Sequence, residues 1–441
     1  MVKTIKKLLL FGGDLLFLHL ALLITLIIRY PESNHLNDFM HHWPDFSMVF
    51  FIWLVVFYAL DLFNLNIQTF DRKFIRLTVN AVLISSIFSV IYFYIIDRPT
   101  ITPKTNLAFF IGIYTVLFIT WRLSYKSFIV RVIPQINLAI IGHNKNAQTL
   151  IDELKKNPVG VYHLSMILRD AQNINSFIEQ IQANNIQVIV VCDDFGQSER
   201  MENALFRCLS FKVDFFNYPD FYEMLTGKIP VEAIGQNWFL ENLKEGQKNY
   251  YNFTKRIIDN ILAILIIILT APLWILIGIV IKLTSNGPVF FRQIRLGKNE
   301  KEYKIIKFRT MRIQNNDGSP TEKGDQRITK FGKFLRKSRL DEIPQVLNVL
   351  QGDMSFIGPR PERPEIIIEL ERHIPFYKTR LLIKPGVTGW DQISGSYHSP
   401  SVNDTMEKLQ HDLYYLKHRS LYFDLSIALK TIATMLYHEG R

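Results

Sequence analysis

Two cysteines, Cys192 and Cys208, are all that the 441 residues contain. They are too few for a disulfide framework and lack zinc-ligand spacing, so they read as core thiols. No small-residue cleavage site follows the basic, apolar N-terminus, which reads as a retained membrane segment and not a cleaved signal. Acidic side chains are in the minority, 40 against 51 Lys and Arg, for a net charge of +11 and a pI near 9.4. That balance points to anionic partners: nucleic acid, anionic lipid or phosphorylated small molecules. Apolar residues are what the chain has in excess. At 48% hydrophobic and 13% aromatic, with mean hydropathy +0.10, it is oily for a soluble protein. The length suits two or three domains.

Four apolar segments occupy the first third: Leu8 to Ile28, Met48 to Leu65, Leu77 to Ile96 and Leu107 to Trp121. Each approaches the ~20 residues that cross ~30 Å of hydrocarbon, although the second and fourth are short. Three lysines precede the first segment, Arg72, Lys73 and Arg76 follow the second, and Arg122, Lys126 and Arg131 follow the fourth. The other two loops are poorer in Lys and Arg. By the positive-inside rule, residues 1–130 form a four-span transmembrane module with both ends in the cytoplasm. Asp14 and Asp61 lie toward the cytoplasmic ends of their spans, where interfacial solvation is expected. His35, His41 and His42 are expected in an external loop, unfixed and without a metal.

Residues 135–245 have a different texture. "INLAIIG" and "IQVIVVCDD" read as buried strands, each followed by a helix, the alternation of parallel βαβ units. The turn "GHNKNA", Gly142 to Ala147, keeps only the first glycine of G-x-G-x-x-G. Asn144 and Ala147 stand at the other two places, and without the second glycine close approach to a pyrophosphate is in doubt. A Rossmann-like domain with no redox role is the expectation. Tyr251-x-x-x-Lys255 mimics the pair of NAD-dependent nucleotide-sugar enzymes, but it lies beyond the α/β region and reads as a chance match.

The third region, residues 250–441, opens on an apolar run from Ile257 to Ile281, long enough to span at roughly 1.5 Å per residue. Pro272 near its middle removes a helix bond and kinks the axis. Lys255 and Arg256 precede the run, and Lys282, Arg292, Arg295 and Lys298 follow it. A full crossing would carry the second basic cluster outside, against the charge rule. A helix over about 256–284 that enters one leaflet and returns at Pro272 satisfies both facts. The last 40 or so residues read as amphipathic helix, packed on the domain or lying on the membrane.

"KFLRKSRLDEIPQVLNVL" places Asp341 beside Glu342, behind Lys333, Arg336, Lys337 and Arg339. A plain structural account is available: acids and proline favour a first helical turn, here a helix ending at Gly352. A chemical account is also available. Helix neighbours diverge by about 100 degrees, so the two carboxylates cannot flank a bond as a glycosidase acid and base do. They suit a division of labour, one attacking an electrophile and the other holding a metal. Among cations at a helix start, that electrophile would be a phosphoryl group, with Mg2+ neutralising the remaining charge. A non-enzymatic scaffold whose basic domain only binds anionic lipid stays open on the residues alone.

"NGPVFFRQIRLG", "KFRTM", "SRLDEIPQVLNVLQGDMSFIGPRP" and "KPGVTGW", in this order, resemble the bacterial sugar transferase family. These are monotopic phosphoglycosyl transferases that start exopolysaccharide, capsule and O-antigen synthesis. The resemblance covers about Lys255 to Arg441. With the four spans and middle domain, the whole chain resembles long members such as the undecaprenyl-phosphate galactose or glucose phosphotransferases. The resemblance implies an α-rich catalytic domain at the cytoplasmic face of the bacterial inner membrane. It implies transfer of sugar-1-phosphate from a UDP-sugar to undecaprenyl phosphate, with release of UMP and a covalent aspartyl-phosphosugar intermediate. Asp341 becomes the nucleophile and Glu342 the ligand of Mg2+ or Mn2+. Lys307, Arg309, Arg339 and Arg360 become phosphate or nucleotide contacts, and Pro272 the break of the re-entrant helix. Asp325 and Arg327 match a motif too, or form an ordinary loop ion pair, and Asp353 closes a turn. Expected partners are these substrates and the bilayer, not nucleic acid, with the middle domain as a route to a homodimer.

Overall fold

The computed structural model describes residues 2–32, 34–60, 62–63, 72–95, 103–132, 135–156, 161–168, 174–192, 199–312, 325–394 and 401–436. By its internal contacts the chain divides into two units, Met1–Phe221 and Tyr222–Arg441.

The first unit begins with four long helices: α1 (Val2–Arg29), α2 (His35–Ala59), α3 (Arg72–Ile95) and α4 (Pro103–Val132). Each packs on its neighbours in sequence and α4 closes back on α1. Their seam is aromatic. Trp53 and Phe57 of α2 meet Phe110, Tyr114 and Phe118 of α4 with ring centroids 5.0–6.2 Å apart. Flat rings fill an interhelical space whose outer face is itself apolar, so packing rather than hydrophobic exclusion holds such helices together.

Asp14 is not solvated at an interface. It is fully buried, 2.6 Å from Arg122 of α4. Arg122 also donates to the Leu62 carbonyl and lies over the Phe118 ring at 4.7 Å. A charge that cannot reach water must find its opposite inside, and here the partner lies 108 residues away in sequence. Asp61 lies outside the described residues. His35, His41 and His42 are on α2, not in a loop, and the buried His42 ring is bonded to the Asp38 carbonyl at 2.8 Å.

The rest of the unit is α/β: β1 (Ile136–Ile141), α5 (Lys145–Lys156), β2 (Tyr162–Leu168), α6 (Ile174–Ala183), β3 (Val188–Val191), α7 (Glu199–Cys208) and β4 (Asp214–Asn217), and the division between the units falls within α8 (Tyr218–Thr226). The strands lie in the order β2-β1-β3-β4, all parallel. At the turn after β1, the Asn144 side chain accepts from Ala147 N–H at 3.0 Å and donates to the Cys192 carbonyl at 2.8 Å. The side chain that replaces the second glycine thus caps α5 itself, where a bound pyrophosphate would need bare backbone.

In the second unit, α9 (Gln236–Asn242) precedes α10 (Asn249–Thr284) and the antiparallel hairpin β5 (Phe290–Leu296) and β6 (Glu302–Phe308). Then follow α11 (Lys330–Lys337), α12 (Gln345–Gln351), β7 (Ser355–Ile357), α13 (Pro364–His373), β8 (Gly386–Thr388), α14 (Trp390–Ile393), α15 (Val402–His418) and α16 (Leu421–Leu436). The terminal stretch is therefore two helices, and both pack on the domain. Leu409, Leu413 and Leu416 of α15 and Ile427 of α16 share a core with Ile229, Val231, Ile357 and Tyr377.

The 36-residue α10 runs through Pro272 as one helix, without the break expected there. One face packs on the domain, through Ala263, Ile277 and Ile281. The opposite face is bare: Ile268, Leu269 and Ile275 are 65–70% exposed. Both ends are tied to the same domain. Arg256 donates to the Val349 and Leu350 carbonyls at 2.6 and 2.8 Å, and Arg309 donates to the Asn286 and Ser285 carbonyls at 2.9 and 2.8 Å. Five segments among the described residues are long and apolar enough to cross a membrane, four in the first unit and one containing α10. This is a membrane-associated protein, helical at its N-terminus and α/β beyond.

The Asp14–Arg122 pair yields a thermodynamic expectation. Asp14→Leu or Arg122→Leu alone strands a buried charge and should destabilise by about 3 kcal/mol or more. The double substitution removes both charges and should unfold later on heating in detergent than either single variant.

Candidate active site

Asp341 and Glu342 do not open the helix that their sequence suggests. They sit on a separate single 3-10 turn, Leu340–Glu342, entered through Arg339 in the left-handed region at φ 55°. Pro344 then caps α12, and Gly352 ends it at φ 90°. The carboxylates thus precede α12 on a turn of their own.

What fixes that turn is Asn348, fully buried within α12. Its Oδ1 accepts from the Ile306 N–H at 3.0 Å and its Nδ2 donates to the Lys304 carbonyl at 2.8 Å. One amide side chain therefore takes the place of a neighbouring strand at the edge of β6. The next residue along β6 is Lys307, whose Nζ lies 2.6 Å from Glu342 Oε1. Arg360 approaches the same oxygen at 3.6 Å from the "GPRP" segment.

That segment is held from behind. The buried Arg380 is paired with Asp412 at 2.7 Å and donates to the Arg360 carbonyl at 3.0 Å. Arg295 donates to the Pro361 carbonyl at 3.0 Å. Gly358 meets the "KPGVTGW" segment backbone to backbone. A Cβ on Gly358 would fall 2.5 Å from the Lys384 carbonyl oxygen, and one on Gly386 2.1 Å from Gly358 N. Only glycine permits that approach, and it joins Gly358 to Gly386, 28 positions on in the other motif.

The charges separate the two acids. Burial pushes the Glu342 carboxyl up, but Lys307 and Arg360 outweigh it and hold the group down at about 2. Burial and the neighbouring Glu342 charge push Asp341 up to about 6, against Lys307 and Arg336. One member of the pair is a permanent anion and the other a carboxylate with a raised proton affinity.

Lys307, Arg360, Asp341 and Glu342 are thus gathered, with the Arg339 charge bearing on Glu342. Arg309 is elsewhere. It is buried, and its guanidinium serves the end of α10. Asp325 and Arg327 form a local ion pair at 2.6 Å, which holds the Asp325 carboxyl at about 2. Asp353 follows the α12 cap with its N–H on the Asn348 carbonyl. Tyr251 and Lys255 both bond Asp424 of α16 and so anchor α10. Sequence reasoning assigned no role to Asn348, Arg380 or Arg336. A lone Asn inside the apolar "QVLNVL" was the one visible sign of the first. Among the described residues no group of three or more His, Cys, Asp or Glu is gathered for a metal. The donors present are the hard carboxylate oxygens of the pair. An ion of the Mg2+ type takes one or two carboxylates and completes its shell with phosphate and water, so it suits this set.

Residues 250–438 match the family model described as "Bacterial sugar transferase". The exopolysaccharide production protein PSS of Rhizobium leguminosarum bv. phaseoli is 37% identical over 190 residues, 41% of this chain and 94% of that protein. The chain belongs to the bacterial sugar transferase family. Longer sugar transferases match as well. A UDP-N-acetylgalactosamine-undecaprenyl-phosphate N-acetylgalactosaminephosphotransferase of Aeromonas hydrophila is 40% identical over 54% of this chain and 56% of its own length. A UDP-glucose:undecaprenyl-phosphate glucose-1-phosphate transferase of Xanthomonas campestris pv. campestris is 34% identical over 59% and 55%. The chain spans just over half the length of these two.

Arg309→Met tests the placement of that residue. Losing charged hydrogen bonds to two carbonyls at a helix end should cost about 2 kcal/mol or more. The expected signature is a lowered unfolding midpoint in detergent. An unchanged midpoint would return Arg309 to the candidates for ligand contact.

Proposed function

We propose that the chain transfers a sugar-1-phosphate from a UDP-sugar to undecaprenyl phosphate, releasing UMP, as the first step of a surface polysaccharide. The observation that carries this reading is the Asp341–Glu342 pair with Lys307 and Arg360 on Glu342. The activities named for the Aeromonas and Xanthomonas relatives support it. They differ in the sugar, N-acetylgalactosamine against glucose, so these two donors are the first to try.

In this mechanism an Asp341 oxygen attacks the phosphorus that bears the sugar. The bond from that phosphorus to the bridging oxygen breaks, and UMP leaves with the electron pair. A phosphate oxygen of the lipid then attacks the same phosphorus, Asp341 departs as carboxylate, and the lipid diphosphosugar is complete. Two displacements let a water-soluble donor and a lipid acceptor use one site in turn. Lys307 and Arg360 keep Glu342 ionised, and Arg336 and Arg339 add positive charge where phosphate charge must be accommodated. Mg2+ or Mn2+, held by Glu342 with Asp341 beside it, would neutralise diphosphate charge.

The same reading places the first four helices across the inner membrane, with the second unit on the cytoplasmic side. There α10, which stays one helix, would enter and leave one leaflet by a bend at Pro272. Its two ends bonded to one domain, and its bare apolar face, support re-entry over crossing.

Two outcomes are expected. With UDP-N-acetylgalactosamine or UDP-glucose, Mg2+ and undecaprenyl phosphate, the protein releases UMP, and Asp341→Ala lowers the rate by roughly 10³-fold or more. UMP release surviving in Asp341→Ala would refute the nucleophile assignment. The attacking form is the carboxylate, and the free Asp341 carboxyl titrates at about 6. Hence kcat/KM should fall as pH drops through about 6, and a profile flat down to pH 4 would contradict the raised proton affinity.

A further inference from the structure

The β5–β6 hairpin has a polar side turned away from Lys307. In the register of the two strands Arg292 stands opposite Ile306, and Ile294 opposite Lys304. Side chains alternate along a strand, so these four share one side of the hairpin and Lys307 lies on the other. A cleft of about 320 Å³ lies between that side and the end of α12, lined by Arg292, Lys304, Ile306, Gln351 and Asp353. Nearby charges are engaged: Lys307 on Glu342, Arg295 on the Pro361 carbonyl, Arg256 on the last turn of α12. The polar side chains of the cleft differ. Among the described residues, those of Arg292, Lys304, Gln351 and Asp353 make no hydrogen bond or ion pair.

Two bases, an amide and an acid thus face one space without closing on each other. The surroundings carry surplus positive charge. Burial, and after it the Arg256 charge, push the nearby Lys384 ammonium down, and Asp259 and Asp353 offset this only in part. Arg292 and Lys304 are diagonal neighbours across the strands, roughly 7–8 Å apart at their backbones and within reach of one phosphate. The volume is at the low end for ligand pockets, enough for a phosphate with a short polar substituent. We propose that this cleft binds a phosphate ester through Arg292 and Lys304, with Gln351 and Asp353 taking a hydroxyl or ammonium donor of the same molecule. A phospholipid headgroup and a small water-soluble phosphate share that chemistry. The site does not rest on the transferase reading, because no group of the carboxylate turn takes part. Its ligand joins the hairpin to the end of α12, the two elements that Asn348 also joins.

Arg292, Lys304 and Gln351 are exposed and Asp353 half-buried, so substitution should leave the fold intact, as an unchanged unfolding midpoint would verify. Equilibrium dialysis of the full chain in detergent against O-phosphoethanolamine and glycerol 1-phosphate is the first arm. The wild type should bind, and the double variant Arg292→Gln, Lys304→Gln should bind roughly tenfold more weakly or worse, having lost two charged hydrogen bonds. Asp353→Asn should weaken O-phosphoethanolamine by about threefold or more and leave inorganic phosphate within about twofold. Native mass spectrometry of protein released from phosphatidylethanolamine nanodiscs is the second arm. A phospholipid retained by the wild type and lost from the double variant names the membrane as the source. Binding of the soluble probes alone names a water-soluble phosphate. Wild-type protein that takes neither probes nor lipid would overturn the proposal. Binding that survives in the double variant would overturn it as well, placing the phosphate elsewhere on the chain.

Discussion

Two half-buried carboxylates on adjacent residues cannot both stay ionised unless cations stand against them. Here that requirement falls on Lys307, and the architecture around it serves to deliver one ammonium to one oxygen. The hairpin carries the lysine, Asn348 fastens the following helix to the edge of the hairpin, and the single turn between them carries Asp341 and Glu342. Arg360 arrives from a different segment, held by the buried Arg380 and by glycine contact with the next motif. Because both cations fall on Glu342, the pair is electrically unequal. Asp341 keeps a higher proton affinity beside a permanent anion. Adjacent acids of one chemical type acquire different work through their surroundings alone.

Much of this was legible in the sequence because the signals are local. Hydropathy marks the helices of the first unit and α10, alternation marks the parallel strands, and a glycine marks the end of α12. The carboxylate pair, Lys307 and Arg360 could be named as site residues from their motifs. What could not be read is pairing at a distance. Nothing near Asp14 announces that its partner is Arg122, so an interfacial position was the natural expectation, and burial displaced it. Arg309 shares a motif with Lys307, yet two positions further along the chain it serves a helix end and not the carboxylates. The chain also leaves the helix geometry before Pro344, because Arg339 takes a left-handed conformation that its sequence does not advertise.

The two regions that are oily or α/β without catalytic groups obey the same economy of internal satisfaction. In the N-terminal helices Arg122 lies between a carboxylate, a carbonyl and aromatic rings, which meet most of its charge although its Nε has no hydrogen-bond partner. In the parallel sheet, Asn144 fills with its own amide the position that a dinucleotide-binding turn leaves open. At these two places a polar side chain is met from within the protein.

Arg256 deserves a last look as a piece of mechanics. It belongs to the membrane helix, yet both of its bonds end on the final turn of α12, the helix that follows Asp341 and Glu342. No flexible linker intervenes between the two. A shift of α10 therefore bears directly on α12, and through it on the turn that carries Asp341 and Glu342. Under the proposed function, the depth at which α10 sits in lipid would set the geometry in which the phosphorus is attacked.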